Sequence, residues 1–129
     1  MAIKTLADYQ VIFHGAFTLD DTGNKNEKTL GFTVPSDFLF DSGSAKPILA
    51  FHASPIEETK FKVFVNHSEI FTWHLLKDVV KGMWSPFPAN IPFPDGASVP
   101  NPVPVRIIVS SGKITFENVI IWYQSKISI

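Results

Sequence analysis

The sequence of 129 residues has no cysteine. That absence excludes disulfides and thiolate metal sites, and with them the small scaffolds that depend on staples to fold. Surplus charge is missing too: 11 Lys and Arg stand against 12 Asp and Glu, a formal net charge of −1, and no run of like charge occurs. A nucleic-acid binder needs a basic footprint, so nucleic acid is set aside as a partner. No apolar run approaches the roughly 20 residues that span a bilayer as a helix, so membrane insertion is not expected. The opening MAIKTLADYQVIF has no long apolar stretch ending in a small-residue cleavage site. It is therefore not a secretory signal peptide, and the expected product is soluble, cytoplasmic or exported by a leaderless route.

Methionine is scarce (2) while phenylalanine is abundant (12), which favours a core of stiff, wide side chains suited to pleated surfaces. Apolar residues recur mostly at period two. In DYQVIFHGAFTLD, Tyr9, Val11, Phe13, Phe17 and Leu19 alternate with Gln10, His14 and Thr18, as in a half-buried strand, and Gly15 marks a bulge or bend. The polar DDTGNKNEK reads as a turn leading to TLGFTV, giving a first hairpin. PILAFHAS is apolar on both faces and reads as a central strand covered on both sides. KFKVFVN and EIFTWHLL form a second hairpin about Asn66, His67 and Ser68. VPVRIIVSSGKITFENVIIWYQ reads as a third, with Val103, Val105, Ile107 and Val109 on one face. HLLKDVVKGM has the spacing of about two helical turns over residues 74–82, closed by Gly82. One domain, residues 1–129, accounts for all of this. The fold class expected is an all-β, antiparallel β-sandwich of jelly-roll type with at most one short helix.

The stretch MWSPFPANIPFPDGASVPNPVP, residues 83–104, holds seven of the ten prolines with a tryptophan and two phenylalanines. Loops usually run polar over the surface, so this one either closes the end of the sandwich or meets a ligand. Trp84, Phe87 and Phe93 supply rigid rings able to stack on sugar faces, and Asn90, Asp95 and Asn101 supply partners for hydroxyl groups. Trp84 and Phe93 are equally suited to plugging the end of the core, and the plug is expected for Trp84. Phe87, held between Pro86 and Pro88, is expected to project.

Catalytic machinery is not legible. DSGSA does not fit the G-x-S-x-G elbow. The carboxylate pairs Glu57–Glu58 and Asp20–Asp21 are adjacent in extended chain and point apart. His14, His52, His67 and His74 lack the spacing of a ready-made metal site, so no metal or cofactor is expected. Asp20 to Asn24 is oxygen-rich enough for calcium but lacks the alternating acids of an EF-hand loop, and a solvated turn explains it as well.

KFKVFVNHSEI, a loop-rich span, and then NPVPVRIIVSSGKITFENVIIWYQ together resemble the C-terminal pattern of galactose-binding-like jelly rolls. In that group an apolar strand ends in Val-Asn, a variable loop follows, and a strand, tight turn and final aromatic-bearing strand close the sandwich. The resemblance implies carbohydrate binding through loops at one end; with no catalytic motif legible, the expected function is a non-enzymatic carbohydrate-binding module, with 83–104 among the contributing loops. The alternative is a structural subunit whose partner is another copy of itself. In VIIWYQ, Val119, Ile121 and Tyr123 lie on one side of the strand and Ile120 and Trp122 on the other, so both sides need cover. A homo-oligomer with Val119, Ile121 and Tyr123 at its interface is the expectation that follows.

Overall fold

The computed structural model describes residues 3–22, 25–35, 46–87 and 102–128, with side chains from residue 7 to residue 125. Among these residues eight strands follow one another: β1 (Ile3–Asp20), β2 (Glu27–Phe32), β3 (Ile48–Pro55), β4 (Thr59–Val65), β5 (Ser68–Leu75), β6 (Lys81–Pro86), β7 (Val103–Ser111) and β8 (Lys113–Ser128). They form two antiparallel four-stranded sheets, one in the order β1-β8-β3-β6 and the other in the order β2-β7-β4-β5. β1 pairs with β8, β2 with β7, β3 with β6 and β4 with β5, and these pairs alternate between the sheets. This is one long antiparallel ribbon rolled up, sealed by the β3–β8 and β4–β7 pairings. The expected jelly-roll sandwich is the fold of the chain.

The sheets face each other through alternating side chains. Buried and exposed positions alternate almost strictly along β4 and β7, so Phe61, Val63, Val65, Val103, Val105, Ile107 and Val109 all point into the core. Aromatic rings fill its middle: Phe61 and Phe116 meet edge to face at 5.2 Å between centroids, and Phe51 approaches Phe116 at 5.5 Å. Such tilted pairs add to the area they bury.

Only one of the three expected hairpins forms. β4 and β5 are joined at Asn66 and His67, both with positive φ (48° and 67°), the requirement of a two-residue turn that matches strand twist. β1 and β2 belong to different sheets, as do β7 and β8, so the polar turn and Gly112 carry the chain across the sandwich instead of back along one sheet. Alternation specifies which side is buried but not which neighbour a strand takes. β3 is central in its sheet, yet only one side is covered, since His52 is exposed.

The two helical turns expected over 74–82 are absent, and no helix occurs among the described residues. Leu75 ends β5 and Met83 lies in β6, and both side chains enter the core. Between them the chain turns, with the Asp78 N–H donating to the Pro55 carbonyl at 3.2 Å. The helical spacing arises because two strands of two different sheets send apolar residues to one core from either end of a short turn.

Val119, Ile121 and Tyr123 are internal. The first two are fully buried and Tyr123 is 8% exposed, with its ring 5.8 Å from that of Phe32. The opposite sheet covers them, which overturns their expected place in a subunit interface. The uncovered side of β8 carries Ile120 and Trp122.

Candidate functional site

The uncovered face of the β1-β8-β3-β6 sheet is built row by row from strand register. Tyr9 lies opposite Trp122, Trp122 opposite Ile48, and Ile48 opposite Pro86. The next row is Val11, Ile120, Ala50 and Trp84. Neither row contains a charged side chain. Tyr9 is 53% exposed, Trp122 45% and Trp84 69%, large fractions for rings that normally bury most of their surface. The Tyr9 and Trp122 rings lie 5.0 Å apart and tilted by 44°, so they brace each other while remaining open to solvent.

A groove of about 700 Å³ runs over this face, lined by Tyr9, Val11, His14, Ala50, His52, Trp84, Asn118 and Ile120 among others. Small residues keep it open: Ala50 sits in the sheet centre, and Gly82, opposite His52, has no side chain. The volume lies within the range of sites that hold a small molecule or a segment of a polymer.

One end of the groove is polar because the strands are irregular there. β1 shifts register between Val11 and Phe13, which turns the strand over, and then His14 and Gly15 together face the single residue Asn118 of β8. β3 shifts against β8 at the same level, between Ala50 and His52. Gly15 (φ 97°) and Asn118 (φ 52°) both adopt left-handed backbone, which glycine and asparagine tolerate best. The result is a paired bulge that delivers His14, Asn118 and His52 to the groove.

These placements revise the expected site. Trp84, expected to plug the core, is the most exposed of the three rings on the sheet face. Phe87, expected to project, is 2% exposed; its N–H donates to the Pro47 carbonyl at 2.8 Å and its ring meets Phe32 edge to face. Phe87 is thus the plug and is no ligand contact. Phe93, Asn90, Asp95 and Asn101 lie outside the described residues. Tyr9, Trp122, His14, His52 and Asn118 were missed as a group. The turnover after Val11 leaves no mark in the alternation, which by itself places Tyr9 on the buried face, and only Gly15 signals an irregularity.

The described part of the oxygen-rich turn, Asp20 to Thr22, is braced by its own Thr22 and by Gly112. Asp20 Oδ1 accepts from the N–H and the hydroxyl of Thr22, and Asp21 Oδ2 accepts from the Gly112 N–H at 3.1 Å. The Thr22 bonds, with smaller help from Lys113 and Lys25, hold the Asp20 carboxyl below its ordinary value despite some desolvation. Among the described residues no three His, Cys, Asp or Glu side chains are grouped as a metal site. No described helix is long and apolar enough to cross a membrane.

No protein-family model matches the chain, and no curated protein is found similar to it. Among solved structures it resembles part of dimeric latent PorU from Porphyromonas gingivalis, with a TM-score of 0.60 at 11% identity over 95% of this chain. The chain spans 13% of that protein's length, and the likeness is one of fold. Looser likenesses are to the C-terminal family 6 carbohydrate-binding module of LamC, a laminarinase from Zobellia galactanivorans, and to a mutant family 29 carbohydrate-binding module. The first has a TM-score of 0.42, 10% identity, and coverage of 93% of this chain and 99% of that one. The second has a TM-score of 0.43, 14% identity, and coverage of 92% and 86%.

Proposed function

We propose that the chain is a carbohydrate-binding module without catalytic activity, and that its site is the groove on the open face of the β1-β8-β3-β6 sheet. The observation that carries this reading is the exposure of Trp84 and Tyr9 in one groove, with Trp122 bracing Tyr9 from outside it. Sugars present flat faces of C–H groups ringed by hydroxyls, and they suit a surface of aromatic rings beside hydrogen-bonding groups. The 83–104 segment enters this reading through Trp84. Affinity electrophoresis against soluble polysaccharides, preceded by a glycan array, tests it. Retention of the parent protein is expected, with loss of retention in Trp84→Ala at unchanged melting temperature. An array without signal, or full retention by Trp84→Ala, overturns the reading.

A second reading is favoured by the two uncharged rows, which also suit burial against the same face of another copy by two-fold symmetry. Light scattering at micromolar concentration separates the two: a dimer that dissociates in Trp122→Lys supports assembly, and a monomer supports the open groove.

A further inference from the structure

Building on the carbohydrate reading, we infer that the bulged end of the groove is a separate, specificity-determining subsite. There Asn118, His14 and His52 read the hydroxyls of one residue of an uncharged sugar chain, while neighbouring residues of that chain stack on Tyr9 and Trp84.

The argument begins with the amide of Asn118. Its Oδ1 accepts the Gly15 N–H at 3.1 Å, which settles its orientation, since the amide nitrogen cannot accept a hydrogen bond. The group therefore presents two N–H donors in a fixed direction. Among the described residues nothing accepts from that nitrogen, and no side chain or backbone group forms a hydrogen bond or ion pair with the imidazole of His14 or His52. Each neutral imidazole offers one donor and one acceptor. Three side chains on three neighbouring strands thus carry open hydrogen-bonding capacity at one end of a groove whose other end is aromatic. Stacking on rings tolerates many sugars, whereas directed donors and acceptors discriminate between hydroxyl configurations. The polar end is therefore where preference arises.

Charge sets the class of chain. Among the described residues no Lys, Arg, Asp or Glu lines the groove. The nearest acid by register is Glu117, opposite His52 on β8, and it opposes a carboxylated or sulfated sugar at that end. The ligand that fits is neutral, and its affinity is insensitive to salt.

Isothermal titration with neutral oligosaccharides that differ at single hydroxyls, together with an oligouronate, tests the subsite at 50 and 500 mM salt. Asn118→Asp keeps the oxygen that accepts from Gly15 but removes both donors, and His52→Ala changes an exposed side chain that takes no part in the Gly15–Asn118 contact. Each is expected to weaken the preferred neutral ligand about tenfold and to flatten the ranking among ligands, with the melting temperature unchanged. An unaltered ranking in both variants, equal weakening for all ligands, tighter binding of the uronate, or a steep salt dependence overturns the inference. Loss of all binding in Trp84→Ala beside an intact ranking in Asn118→Asp removes the subsite and leaves the aromatic site standing. No binding by the parent protein removes both.

Discussion

Gly15 and Asn118 sit on adjacent strands 103 positions apart in sequence, both in left-handed backbone, and the N–H of one donates to the side-chain oxygen of the other. At this contact β8 gains the residue that brings Val119, Ile121 and Tyr123 to the same inner side as Ile114 and Phe116. The bulge therefore connects packing to the proposed site: the extra residue that keeps the core side apolar also lines the groove.

Gly15 and Gly112, both at positive φ, respond differently to alanine. Gly15 has open space where a Cβ would go, so Gly15→Ala meets backbone strain alone, about 1–2 kcal/mol. At Gly112 a Cβ would collide with the Glu58 carbonyl and stand 2.8 Å from the Thr59 Cα, so Gly112→Ala is expected to cost distinctly more. Urea melts of both variants check the order, and equal losses contradict it.

Trp84 and Phe87, three positions apart, separate stability from binding. Phe87→Ala opens a cavity beneath Phe32 and is expected to cost roughly 3–5 kcal/mol. Trp84→Ala removes an exposed ring and is expected to change stability by no more than about 0.5 kcal/mol. Chemical denaturation gives both values, and a large loss in Trp84→Ala contradicts the placement of that ring.

Consecutive residues of β8 should tolerate charge in opposite ways. Ile121→Lys places an amine in a sealed core and is expected to unfold the chain. Trp122→Lys leaves the amine in water and keeps the fold. Circular dichroism of the pair tests this directly, and a folded Ile121→Lys protein would overturn the internal assignment.

Asp20 provides an acid-side test. Its carboxyl is held below the ordinary 3.8, chiefly by the bonds from Thr22. Because the folded value is depressed, the contribution is present above the unfolded value and is lost as pH falls below about 4 through the folded one. In NMR titration, Thr22→Ala should raise the Asp20 midpoint toward 3.8. An unmoved midpoint would assign the depression to Lys113 and Lys25 instead.

Much of the architecture was legible because a strand buried on one side must alternate. The apolar side of β7 and the grouping of Val119, Ile121 and Tyr123 on one side of β8 are legible in the alternation, although which side of β8 meets the core is not, and Gly15 marks an irregularity. The aromatic groove was not legible, because its residues come from four strands that sequence alone does not place side by side. Trp84 and Phe87 exchanged roles for a related reason: two apolar rings in one proline-rich stretch look alike until the opposite sheet covers one of them.

By itself, then, the sequence determined a cysteine-free all-β sandwich, its alternating core and its lack of surplus charge, because these depend on composition and on spacing within each strand. Tertiary structure decided that β1 and β2, and β7 and β8, cross between sheets, that residues 76–80 turn between two strands instead of coiling, and that Val119, Ile121 and Tyr123 face inward. It also decided that Tyr9, Trp84 and Trp122 share one open face. The physical reason is the same throughout. Period-two patterning commits a strand to having a buried side, but its partner and register are chosen by long-range pairing, and a single bulge residue exchanges the two sides.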